Sequence, residues 1–404
     1  MKTPLFLLLL VRILICTDIG GTDPDDNQSM MHYLLYANRF CCEGLVSSPS
    51  YGDGSKAEIL RMIDLYEQDL PELKKHARHW PTPDYLRSIT KQGRHGSAPM
   101  VGYSTPTEGS DWIVSCARRK DKRPLYILVW GGLDDVAQAL HDAPDIVSRI
   151  RIYWIGGPNK KWSLPSYCYL ASTFPNLWLI ENNSSYRGFI ADPKNPDRFH
   201  AGFYDAFVRG AGHLGEDFYR YKQGLPKLGD TPSLLYMMDG DPADPTGDSW
   251  GGSFCLTSRS PRRIYNRPTT ATDTIACNGI IEWHFRGPAN DSATLTVLHQ
   301  DWPVYYLGGG EYMARYSTYK TGVISYSIHS SSPSFPAQSG SFYVENTYPG
   351  APSSTDYPLG PTWWTDRPDS SLYATKSHCQ GAATVLRWRK AVLLDWAKRC
   401  SWLK

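Results

Sequence analysis

A series of short apolar runs, each stopping abruptly at glycines or polar side chains and most leading into helical spacing, constrains this chain more than any other feature. The first, Arg12 to Cys16, stops at Asp18. Gly20 and Gly21 follow, then Asp23, Asp25 and Asp26 crowd around Pro24, and Met30, Met31, Leu34 and Leu35 continue at helix-face spacing. CCEGLVSSPS reads as a strand ending in Ser47, Ser48 and Ser50. PLYILVWGG ends at Gly132, before Leu133, Asp134 and Asp135 open the helix VAQALHDA. IRIYWIGG ends at Gly157, and NLWLIENN ends in Glu181, Asn182 and Asn183. Apolar runs alternating with helices predict an α/β fold, an open, mostly parallel sheet with flanking helices. Their polar ends should share one sheet edge, where such folds bind ligands.

The pattern changes near Cys277. Short alternating segments (IIEWHF, ATLTVLH, WPVYYL, VISYSIH, SGSFYVE) replace the helical period and predict a small β-sandwich module. The expected organisation is an α/β domain over 12–276, a β-sandwich over 277–346 and a Pro/Ser/Thr-rich linker over 347–362. A C-terminal segment, 363–404, ends in a long amphipathic helix that docks back on the α/β domain.

Charge narrows the function. A formal net charge of +2 gives no concentrated basic face for nucleic acid or an anionic membrane. The 14 Trp and 26 Tyr fit a saccharide ligand and fit plain packing equally well. Nine scattered cysteines without a CxxC pair argue against a disulfide framework or a zinc site. The start, MKTPLFLLLL, resembles a signal peptide without a clear cleavage site, so the chain is expected to be secreted or periplasmic, with a cytoplasmic location as the alternative. Interrupted by Arg12, the run is too short to span a membrane.

Collected from the strand ends, the candidate site residues are Asp18, Asp25, Asp26, Ser48, Asp134, Glu181, Asn183 and Asp230. An oxygen-rich set without a Cys or His cluster suits a hard cation, calcium before magnesium. The plain alternative is an acidic helix N-terminus in which Asp25 and Asp26 complement the dipole. One GxSxG occurs, Gly247 to Gly251, but an Asp/Pro/Gly-rich turn precedes it instead of a strand, so a structural turn is expected.

TDIGGTDPDDNQS resembles the amino-terminal aspartate motif of the nucleoside hydrolases, DxDxGxDD, and is closest to their nucleoside-hydrolase-like relatives described as cellulose-binding. PLYILVWGGLDDVAQAL, RIYWIGGPNKKW, LIENN, GDTPSLLYMM and DSWGG are similar to that family's later landmarks, in the same order. The resemblance implies tightly held calcium and hydrolysis of an N-glycosidic, ribosyl-type bond by a metal-activated water. It implies Asp18 as metal-binding general base, Asp26 and Asp230 as metal ligands, and a main-chain oxygen at Asp134 on the metal. Asp25, Glu181 and Asn183, with Ser48 nearby, would bind the sugar. The β module is similar to immunoglobulin-like domains attached to carbohydrate-active enzymes. Two positions depart from the pattern: Cys16 replaces the first Asp of DxD, and Gly229 stands where many relatives carry a histidine. The alternatives on the same fold are a carbohydrate-binding protein and an O-glycoside hydrolase. In each case the expected ligand is a small glycoside or saccharide.

Overall fold

A computed structural model describes residues 10–21, 23, 25–52, 54–190, 199, 202–368 and 380–404. The apolar start therefore lies almost wholly outside the described residues. Seven strands build most of the main sheet: β1 (Val11–Thr17), β2 (Phe40–Ser47), β3 (Thr90–Gln92), β4 (Leu125–Val129), β5 (Ile150–Ile155), β6 (Leu179–Asn182) and β7 (Phe254–Leu256). The order is β3-β2-β1-β4-β5-β6, then strand Trp363–Asp366, then β7. Neighbours run parallel except at β7, which pairs antiparallel with Trp363–Asp366.

Both faces of this sheet are covered, which is why its central strands β1, β4 and β5 read as mostly apolar runs. Ile13 and Ile15 face one core, with helices α1 (Asp25–Leu35), α2 (Lys56–His76) and the terminal helix Ala382–Cys400. Leu14 and Cys16 face the other, with helices Glu108–Ala117, Asp134–Asp142 and Leu164–Thr173. Val385, Val392, Leu393, Trp396 and Cys400 bury the stripe of the terminal helix.

The β module is an eight-stranded sheet folded around its own core, with the Trp283 and Tyr326 rings tilted against each other at 4.3 Å. Strand Gln300–Gly308 crosses between its halves: residues 300–303 pair with Thr294–Val297, and residues 304–308 with Glu311–Ser317. The module begins earlier than the composition change at 277, because Arg262–Tyr265 pairs parallel with Ile280–Arg286. Arginines and prolines hide that strand in the sequence. The arginines pin the returning segment: the Asp356 carboxylate accepts from Arg259 at 3.0 Å, Arg263 at 3.1 Å and the Arg262 N–H at 2.9 Å. The expected linker thus carries structure, and its Tyr357–Pro358 pairs with Arg259–Ser260.

Eight of the nine cysteines lie among the described residues, all as free thiols. Ser249 of the GxSxG stretch is buried and donates to the Gly252 carbonyl at 2.7 Å, a turn contact and not an exposed nucleophile. No described helix is long and apolar enough to cross a membrane.

Candidate metal centre and ligand pocket

The chain order reverses at β1, which has β2 on one side and β4 on the other. Loops leaving the carboxyl ends of strands at such a reversal diverge and open a crevice. Asp18 is the first residue beyond β1. The Thr17 hydroxyl donates to the Asp26 carboxylate and accepts the Ile19 N–H at 3.1 Å, folding the acidic loop back onto the strand that launched it. Gly20 makes the turn at φ +87°, where a Cβ would lie 2.6 Å from the Ser55 Cβ. Cys16 points the other way, into the apolar core, so it does not line the crevice.

The second wall comes from the loop after β2. The Ser50 hydroxyl lies 2.5 Å from Asp18 Oδ2 and 2.9 Å from Asn159 Oδ1, and its single proton serves one of them at a time. Asn159 Nδ2 donates to the Trp130 and Ile155 carbonyls at 2.7 and 3.0 Å, which fixes its Oδ1 as the acceptor.

The third wall carries Asp230. Gln28 of α1 accepts the Lys227 and Leu228 N–H groups at 2.8 and 3.1 Å and donates to the Leu225 carbonyl at 2.9 Å, tying this loop to the acidic one. The Trp130 indole donates to Ser233 at 2.7 Å, and Ser233 donates to the Asp230 carbonyl at 2.8 Å. Oxygens of Asp25, Asp26 and Asp230 then lie within 4.8 Å of one another. Oxygens each about 2.4 Å from a shared calcium are at most about 4.8 Å apart, so this set fits one.

Electrostatics agree with that fit. Burial, followed by repulsion from neighbouring carboxylates, pushes the Asp26 and Asp230 carboxyls well above their ordinary range. Burial also raises Asp18, against the hydrogen bond from Ser50. Asp25 is pushed up to about 7, chiefly by burial, although the Lys227 ammonium 3.1 Å away opposes the shift. Asp230 Oδ2 is buried and has no hydrogen-bond partner. A buried acceptor left unpaired is costly. The all-oxygen donor set and this orphaned atom together suit a hard divalent cation.

The carboxylates form the floor of a pocket of about 440 Å³, within the usual size of small-ligand sites. Tyr51 and Trp162 line it from the α/β domain, and Gln300 and Tyr319 line it from the β module.

Residues 12–254 match the model of the family described as cellulose-binding Sde182, nucleoside hydrolase-like domain. The chain belongs to this family. No curated protein matches the chain in sequence. Among solved structures, a nucleoside hydrolase-related hypothetical protein from Saccharophagus degradans, associated with carbohydrate metabolism, is 19% identical with a TM-score of 0.52. That match covers 83% of this chain and 100% of the other, so the shared fold extends beyond the family-matched residues. The inosine-uridine preferring nucleoside hydrolase from Bacillus anthracis is 14% identical with a TM-score of 0.38, covering 56% of this chain and 81% of that one. A purine-preferring ribonucleoside hydrolase from Gardnerella vaginalis is 12% identical with a TM-score of 0.33, covering 62% and 84%.

In this nucleoside-hydrolase-like chain, Asp18, Asp25, Asp26 and Asp230 line one pocket. Four other expected residues do not reach it. Ser48 is buried beside Gly132, and Ser50 takes the place in the wall. The Asp134 carboxylate is occupied by the Ala98 N–H at 2.8 Å and by the Ser163 and Ser166 hydroxyls at 2.6 and 3.1 Å. As the first residue of its helix, Asp134 directs its carbonyl along that helix. The residue of that strand end which lines the pocket is Trp130. Glu181 accepts from Lys160 and Asn183 on one oxygen, and from Tyr167 and Tyr348 on the other, so no acceptor remains for a sugar. Asn183 is held by that bond and by the Gly157 N–H.

Sequence reasoning missed Asn159, Lys227 and Trp130 as pocket residues. Each lies within or beside a landmark already read, GGPNKKW, GDTPSLLYMM or LVWGG, and that proximity was the available signal.

Proposed function

We propose that the chain hydrolyses a glycosidic bond of the N-ribosyl type in this pocket, with calcium as its cofactor. The observation that carries the proposal is the orphaned Asp230 Oδ2 within the cluster of Asp25, Asp26 and Asp230, with Asp18 lining the same pocket. Asp26 and Asp230 would hold the cation, with an Asp25 oxygen within 4.8 Å of theirs and Asp18 lining the same pocket. When bound, such an ion neutralises the cluster and lowers the pKa of a water it holds. Asp18, oriented by Ser50 at 2.5 Å, takes the proton from the attacking water. Asp25, kept in place by Lys227, accepts hydrogen bonds from the sugar hydroxyls. Positive charge building on the sugar ring as the bond breaks is stabilised by the surrounding carboxylates.

Calorimetric titration with calcium, followed by an assay for ribose released from purine and pyrimidine ribonucleosides, tests this reading. Absence of calcium binding at millimolar concentration would sink it. The second reading, a carbohydrate-binding protein, is favoured by Gly229, which supplies no acid where many relatives carry a histidine, and by the aromatic wall of Tyr51 and Trp162. It prevails if calcium and sugar bind while a broad panel of N- and O-glycosides is left intact.

A further inference from the structure

The matched family domain ends at residue 254, yet the pocket does not. Gln300 and Tyr319, from the inserted β module, line the same cavity as Asp18 and Asp230. Tilted ring contacts run across the seam between module and α/β domain. Trp162 lies 4.2 Å from Tyr51 on one contact and 4.3 Å from Trp302 of the module on another. Lys161 bridges the same seam, donating to Gln300 Oε1 at 3.1 Å while its ammonium sits 4.4 Å from the Trp162 ring centre. Trp302 is 7% exposed and Tyr51 is 47% exposed, so the stack is anchored at the module end and open at the pocket end.

Resting on the function proposed above, we infer that the β module completes the site: Tyr319 and Gln300, with Trp302 bracing Trp162 and Tyr51, form the wall that receives the leaving-group side of the glycoside. The carboxylate floor suits a polyhydroxylated sugar, whereas this wall offers aromatic faces. Of the polar atoms beside it, Gln300 Oε1 is engaged by Lys161 and Asn159 Nδ2 by two carbonyls. Its occupant is therefore a flat-faced ring joined to the sugar, recognised by stacking more than by hydrogen-bond readout. A nucleobase and a second sugar ring share that chemistry. Trp302 acts as a positioning residue, and Tyr319 contacts the ligand.

Calorimetric titration of the full chain, in calcium, with ribose, inosine and cellobiose tests this. Either inosine or cellobiose should bind more tightly than ribose, and which one does identifies the ring. Tyr319→Ala should shrink that advantage over ribose about tenfold, and Trp302→Leu should do the same. Should Trp302→Leu unfold the module, the variants Tyr319→Ala, at a partly buried position, and Gln300→Ala carry the test. An advantage unchanged in Tyr319→Ala and Gln300→Ala overturns the inference, as does a wild-type chain that binds ribose but gains nothing from either larger probe. Binding of none of the three overturns the proposed function, and this inference with it.

Discussion

Lys160 and Glu181 form an ion pair at 2.7 Å in which neither side chain is exposed. The Lys160 ammonium also lies 3.8 Å from the centre of the Tyr167 ring, and Glu181 takes hydroxyls from Tyr167 and from Tyr348, which follows the β module. This pair ties β6 to the segment returning from the module. Removing one partner strands the other charge in the interior, so Glu181→Ala or Lys160→Met should each cost about 3–5 kcal/mol. Urea unfolding measures this. Replacing both with apolar residues together should recover a large part of the loss.

Asp230→Asn separates stability from cation binding. The metal-free protein should gain stability, because burial and the carboxylates of Asp25 and Asp18 oppose ionisation of Asp230, and an amide avoids that cost. Calcium should then no longer raise Tm, whereas the wild-type chain at about 100 times its Kd gains about 2.7 kcal/mol. Thermal unfolding with and without calcium reads both effects.

Asp18→Asn should leave the fold intact and lower kcat by about 10²–10⁴, the usual contribution of a positioned base. Ser50→Ala should lower it less, since Ser50 only orients Asp18. Ribose-release assays on the two variants give the comparison, and an unchanged rate in Asp18→Asn would remove it from that role.

Gly229→Ala probes the space Asp25 needs. A Cβ at residue 229 would sit 2.4 Å from Asp25 Oδ2 and push that carboxylate aside. Sugar affinity should fall while global stability changes little, as titration with ribose and a parallel unfolding curve can show.

His32 predicts an acid-side weakness. Its ring is buried, stacked 5.2 Å from Trp396 of the terminal helix, with only the Thr231 hydroxyl near Nδ1 at 3.3 Å and no partner for Nε2. Burial lowers its pKa from 6.5 to about 3, and Arg399 adds to this. A depressed folded-state pKa means its contribution is complete above pH 6.5 and is lost as pH falls from there toward 3. Urea midpoints from pH 7.5 to pH 4 should decline less steeply in His32→Leu than in the wild-type chain.

The parts of the fold that could be read in advance are those where local pattern and burial coincide. Strands β1, β4 and β5 are covered on both faces and show it as apolar runs, unbroken in β4 and interrupted by Arg12 in β1 and Arg151 in β5. Trp363–Asp366 gave no such signal. It is four residues long, follows a Pro-rich stretch, and becomes a strand only because β6 and β7 leave a gap for it. In the site, the acidic loop was legible because its carboxylates are adjacent in sequence. Ser48 and Ser50 differ by two positions, and only the path of the loop beyond β2 decides which faces Asp18. Glu181 carries the right chemistry for a ligand group. Lys160 and two tyrosines, each distant in sequence, claim its oxygens first, and nothing local records that.

Strand Trp363–Asp366 lies between β6 and β7, although the entire β module separates it from β7 in the chain. During synthesis β7 therefore emerges from the ribosome long before the neighbour it must pair with. The module, whose strands all lie within residues 262–345, can close while the larger sheet still waits with an open edge. Pairing across so wide a sequence separation is slow and leaves that edge exposed to other chains. Any break in the chain between the module and Trp363 would leave the sheet unfinished, however well each piece folded.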